Sequence, residues 1–101
     1  MSTIERKHWT FVTSHTQVLL CIAQDPEVRM RDVADRVGIT ERAAQRIVAD
    51  LVESGYVGRS RVGRRNRYTI NPTVEMRHQL QHGLDIGSLL ELLQRYPDGD
   101  H

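Results

Sequence analysis

Ten arginines stand between Arg29 and Arg67, namely Arg29, Arg31, Arg36, Arg42, Arg46, Arg59, Arg61, Arg64, Arg65 and Arg67, with no lysine among them. The acids in the same stretch are Asp32, Asp35, Glu41, Asp50 and Glu53. A guanidinium is a flat fork of five donors that matches phosphate oxygens and the guanine edge, whereas lysine serves plain solubility equally well. A GC-rich genome also favours Arg over Lys, so the bias points toward a polyanion without settling it. Other chemistry is poorly supplied. The Ser, His and Asp residues do not assemble a nucleophile, base and orienter by spacing, and no Gly-rich phosphate loop follows a strand, so the chain is not expected to be an enzyme. His78 and His82 have the i,i+4 spacing of helical metal ligands but lack a third donor nearby, and neither a metal nor a cofactor is implied. The single cysteine, Cys21, lies between Leu20 and Ile22 and reads as a small core residue, which leaves no intrachain disulfide or cysteine zinc cluster.

The rest of the composition bounds what can carry these arginines. A chain of 101 residues and 11.6 kDa has room for one modest core. No apolar run approaches the roughly 20 residues of a membrane span. Thr13 to Gln17 interrupt any signal-peptide core, so a cytoplasmic location is expected. The formal net charge of +1 conceals a division. Residues 1–28 carry one more acid than base and residues 68–101 carry three more acids than bases, leaving a surplus of five positive charges in the middle. Clustered like charge destabilises a free fold and is best tolerated where a polyanion binds.

Periodicity supplies the elements that would position the charge. Ser14 with Gln17 reads as a capping box ahead of Val18, Leu19, Ile22 and Ala23, predicting a helix over 14–24 that Asp25-Pro26 ends. Val33, Ala34 and Val37 predict a second, short helix over 31–37. Gly38 is suited to a left-handed helix end, and Thr40 to the N-cap of a third helix over 41–54. That helix has Ala44, Ile47, Val48 and Leu51 on one stripe and Glu41, Arg42, Gln45, Arg46 and Ala49 on the other, with Gly55 after it. The period then falls to two. Residues 56–62 and 67–70 read as strands around a turn at Gly63-Arg64-Arg65-Asn66. Residues 73–84 are weakly periodic and read as irregular or partly helical. Asp85 is a credible N-cap for a final helix near 86–95 with Ile86, Leu89, Leu90 and Leu93 on one face.

The fold class implied is mainly α with a small β-hairpin: a winged helix-turn-helix domain over 1–72 and a C-terminal extension over 73–101. Small Ala34 and Gly38 let two helices cross closely enough for the second to present a side-chain face to a groove about 12 Å wide. A hairpin carrying Arg64, Arg65, Asn66 and Arg67 follows directly and can reach an adjacent backbone or minor groove. Trp9 and Phe11, ahead of the first helix, are read as packing residues. The final apolar helix has two readings, a return onto its own domain or a dimer contact.

Val33 to Arg42, followed by Leu51-Val52-Glu53-Ser54-Gly55-Tyr56-Val57, resembles the winged helix-turn-helix domain of MarR- and ArsR-type transcriptional regulators. The likeness covers about 15–70. It is strongest toward small stand-alone prokaryotic members with a wing like Gly63-Arg64-Arg65-Asn66-Arg67-Tyr68. The resemblance implies transcription regulation through double-stranded DNA, with the third helix in the major groove, and a homodimer on a pseudo-palindromic site. It implies that Thr40 holds a phosphate, that Arg42, Gln45 and Arg46 read bases, and that Glu41 accepts from cytosine or orients Arg42 or Gln45. Arg64, Arg65 and Arg67 would touch phosphate or a narrow minor groove. It does not say which effector, if any, is sensed, since the paired metal cysteines of ArsR proteins and the long flanking helices of MarR proteins are missing. Against these roles, Arg46 could pair with Asp50 at i,i+4 on a solvated face. A winged helix serving only as a protein-interaction module is the alternative function.

Overall fold

The computed structural model describes residues 12–76 and 83–95; His78, His82, Trp9 and Phe11 lie outside the described residues. Three helices come first, α1 (Ser14–Gln24), α2 (Met30–Val37) and α3 (Glu41–Glu53), then a hairpin of β1 (Val57–Val62) and β2 (Arg65–Ile70), then α4 (Ile86–Gln94). The order and kinds of element match the winged helix-turn-helix architecture with an added C-terminal helix.

Local chemistry sets most of the boundaries. α1 is capped by Thr13 and not by Ser14: Thr13 Oγ1 accepts from the Thr16 amide at 3.4 Å, and the Gln17 amide donates to the Thr13 carbonyl at 3.0 Å. Either hydroxyl can cap, and starting one residue earlier adds a helical hydrogen bond. α2 likewise begins at Met30, one residue before its apolar stripe suggests, because the Val33 amide reaches back to the Arg29 carbonyl at 3.0 Å. It ends at Gly38, whose φ of +86° lets the amides of Gly38 and Ile39 both donate to the Ala34 carbonyl. Thr40 then caps α3, its Oγ1 accepting from the Ala43 amide at 3.0 Å.

The hairpin turn is shorter than its composition suggests. Val62 pairs with Arg65 and Arg61 with Asn66, so only Gly63 and Arg64 turn the chain, and Arg65 and Asn66 belong to β2. Gly63 at φ +62° makes so tight a reversal possible, and the β-ladder then recruits the polar residues beyond it.

One core joins all the elements. Val18 and Ile22 of α1, Val33 of α2, Ala44 and Val48 of α3, Val57 and Tyr68 of the hairpin, and Ile86 and Leu90 of α4 are buried together. The small size of Ala34 and Ala44, both buried, permits the close crossing of α2 and α3. Residues 74–76 are extended: Glu75 bridges to Asp85, the Met76 amide donates to the Leu84 carbonyl, and the Ile86 amide donates to the Val74 carbonyl. This small antiparallel clasp seats α4 against α1, so the C-terminal helix returns onto its own domain, although Leu92 on its far side is 54% exposed. Among the described residues no helix is long and apolar enough to cross a membrane.

Candidate nucleic-acid interface

The amphipathic period of α3 decides which side chains are available. With Ala44, Ile47, Val48 and Leu51 turned into the core, Glu41, Arg42, Gln45, Arg46 and Ala49 are left on an exposed face. Arg42 and Arg46 make no ion pair among the described residues. Asp50, the acid at i,i+4 from Arg46, is instead 3.1 Å from the Nε2 of His15 on α1. Thr40 sits at the start of this face. Its oxygen is used in capping, while its hydroxyl hydrogen can still donate outward.

The hairpin continues the surface, and its register sorts its arginines. Partners in an antiparallel ladder share a face and successive residues alternate. Arg59 faces with Tyr68 and Arg61 with Asn66, on the side that buries Val57 and Tyr68 against the helices. Beyond that buried base, Arg59 and Asn66 line an open groove with Gln45 and Met30, so the inner face of the wing adjoins the exposed face of α3. Arg65 and Arg67 lie on the opposite face, where both meet Glu27 of the α1–α2 loop. Arg64 occupies the tip. Arg29, Arg31, Arg59, Arg61 and Arg64 make no ion pair among the described residues.

A family model described as MarR family matches residues 12–66, from just before α1 into β2. The chain belongs to the MarR family. Among curated proteins, none matches the sequence. Membership makes DNA binding in transcription regulation the general role of this MarR-family chain. The matched stretch contains the whole of α3 and the tip of the wing, and stops short of α4.

The site residues expected from sequence are therefore held in three places: Thr40, Glu41, Arg42, Gln45 and Arg46 on α3 and its cap, Arg64 and Asn66 at the tip and inner face of the wing, and Arg65 and Arg67 on its outer face. Sequence includes Arg59 and Arg61 in the Arg-rich wing over 58–67 expected on phosphate or minor groove, but does not distinguish them from the other wing arginines. The period-2 pairing with Tyr68 and Asn66 is the available signal, but it requires the register, which the turn length decides. Glu27 escapes sequence reasoning because nothing local marks a loop acid as the partner of arginines some forty residues later. Among the described residues no three His, Cys, Asp or Glu side chains cluster closely enough to hold a metal.

Proposed function

We propose that this protein is a sequence-specific regulator that binds double-stranded DNA by laying α3 in the major groove and the hairpin on the adjacent phosphate backbone or minor groove. The observation that carries the reading is the exposed face of α3, where Arg42, Gln45 and Arg46 are exposed beside Arg59 and Asn66 of the wing, with Arg42, Arg46 and Arg59 in no ion pair among the described residues. Arg suits guanine O6 and N7, and Gln suits adenine. Glu41 in the first turn of α3 favours the helix dipole and can accept from cytosine N4. Thr40, with the first free amides of α3, suits a phosphate, which would fix register without reading sequence. Arg64 and Asn66, at the tip and inner face of the hairpin, complete the wing side, whereas Arg65 and Arg67 stand on its outer face beside Glu27. Recognition by a homodimer of a pseudo-palindrome, in the cytoplasm and without enzymatic activity, goes with this reading.

Selection from a random duplex library at physiological salt tests it directly. A recovered site with half-site symmetry supports both sequence reading and dimerisation. Arg42→Ala should then cost about 1–3 kcal/mol at particular base pairs, whereas Arg64→Ala should weaken binding to all duplexes alike. Failure to enrich any sequence, together with no salt-sensitive binding to bulk duplex, would leave the interaction-module reading in its place.

A further inference from the structure

We propose that Glu27 is a positioning residue for the wing, and that it sorts the hairpin arginines into two groups. Arg65 and Arg67 anchor the wing to the body of the domain, while Arg59, Arg61 and Arg64 remain for phosphate. This rests on the DNA-binding reading above.

Three attachments run from β2 to two consecutive loop residues. The Tyr68 amide donates to the Pro26 carbonyl at 2.8 Å, an Arg65 Nη donates to the Glu27 carbonyl at 2.7 Å, and Arg67 Nη1 lies 3.9 Å from the Glu27 carboxylate. Glu27 is itself held, because its amide donates to the Asp25 carboxylate at 3.1 Å and the Val28 amide donates to the Asp25 carbonyl at 3.0 Å. The outer edge of β2 is thus tied to a braced turn and does not end in solvent.

A half-exposed ion pair at 3.9 Å contributes little alone. Here the same residue also accepts a charge-assisted hydrogen bond through its carbonyl, and the neighbouring backbone supplies a third link. The electrostatic consequence is specific. Five arginines and no acid lie between Val57 and Tyr68, and among the described residues Glu27 is the acid paired with any of them. It reduces their mutual repulsion on the face turned away from α3, leaving the inner face and tip fully positive. Glu27 therefore sets where the wing stands and which of its charges face a duplex.

Glu27→Gln keeps the backbone contacts to Arg65 and Tyr68 and removes only the charge. The readout is the slope of log affinity against log salt on one bulk duplex, which counts the phosphates neutralised at about 0.9 per contact. Arg64→Ala should make the slope shallower by about 0.9, and Arg67→Ala should leave it unchanged. Glu27→Gln should steepen it by up to about 0.9 as Arg67 becomes free to reach phosphate, and the double variant Glu27→Gln/Arg67→Ala should return it to the parent value. Circular dichroism melts of each variant separate a lost wing contact from lost folding. A shallower slope for Arg67→Ala, equal to that of Arg64→Ala, or no change for Glu27→Gln, overturns the separation of anchoring from phosphate-binding arginines while leaving DNA binding intact. Absence of salt-dependent binding by the unaltered protein overturns the DNA reading itself, and this proposal with it.

Discussion

The imidazole of His15 and the carboxylate of Asp50 meet at 3.1 Å, joining the first turn of α1 to the final turns of α3. The side chains are 48% and 52% exposed, so water competes with the contact and salt screens it. His15→Ala should therefore reduce unfolding free energy by no more than about 1 kcal/mol, measured by urea denaturation followed by circular dichroism. A loss of several kcal/mol would mean that this seam, and not the apolar stripe beneath it, holds α1 on α3. The pairing also engages Asp50 away from Arg46, which is the arrangement a base-reading arginine needs.

Thr40 has a larger effect to lose. Its Oγ1 satisfies an amide at the start of α3 that has no helical partner. Thr40→Ala should cost about 1 kcal/mol of stability in the same denaturation assay, and Thr40→Ser should recover most of it because the accepting oxygen returns. Should the serine variant be as unstable as the alanine one, the threonine methyl and not the cap would be the important part.

These two side chains mark what sequence can and cannot disclose. Thr40, Gly38 and the α3 stripe are legible because capping, left-handed conformation and 3.6-residue periodicity are local properties written in adjacent residues. The Arg46–Asp50 pairing suggested by spacing gives way to His15–Asp50, which depends on how α1 packs across α3 and so lies beyond any local rule. The wing shows the same boundary. Its strands are visible in sequence, but whether Arg65 and Asn66 turn or pair depends on a two-residue reversal at Gly63-Arg64, and one residue of register decides which face each arginine takes. The extended clasp of 74–76 with 84–86 is invisible because it is built from backbone hydrogen bonds, to which side-chain periodicity is blind.

Cys21 should behave as an inert thiol. It is 4% exposed, and burial pushes its pKa up, with the nearby positive charge of Arg36 opposing this more weakly. The thiolate is the reactive form, so alkylation of the folded protein at about pH 8 should be much slower than alkylation in denaturant, as read by mass spectrometry. Because the folded state favours the neutral thiol, its contribution to stability is whole below the unfolded thiol value, roughly 8.5, and is lost as pH rises through the folded value. Cys21→Ala should remove that part of the alkaline loss. Fast labelling of the folded chain would contradict the buried placement.

Gly87 tests the docking of α4 most sharply, because two effects oppose each other there. Exchanging a glycine inside a helix for alanine ordinarily gains about 1 kcal/mol from reduced backbone entropy. At this position, however, a Cβ would lie 2.7 Å from the Pro72 Cβ and 2.8 Å from the Pro72 carbonyl oxygen, which the Gly87 amide also uses as its acceptor. Overpacking of this kind costs about 1–3 kcal/mol, and the strained hydrogen bond adds about 0.5–1.5 kcal/mol, so the steric term should win. The relief available is for α4 to lift off, withdrawing Ile86 and Leu90 from the core. Gly87→Ala should accordingly accelerate amide exchange in α4 while leaving α3 near its parent rates, a local opening and not a global one. Equal acceleration in both helices would show that α4 does not open independently of the rest of the core, whereas unchanged exchange would show that Pro72 yields without cost.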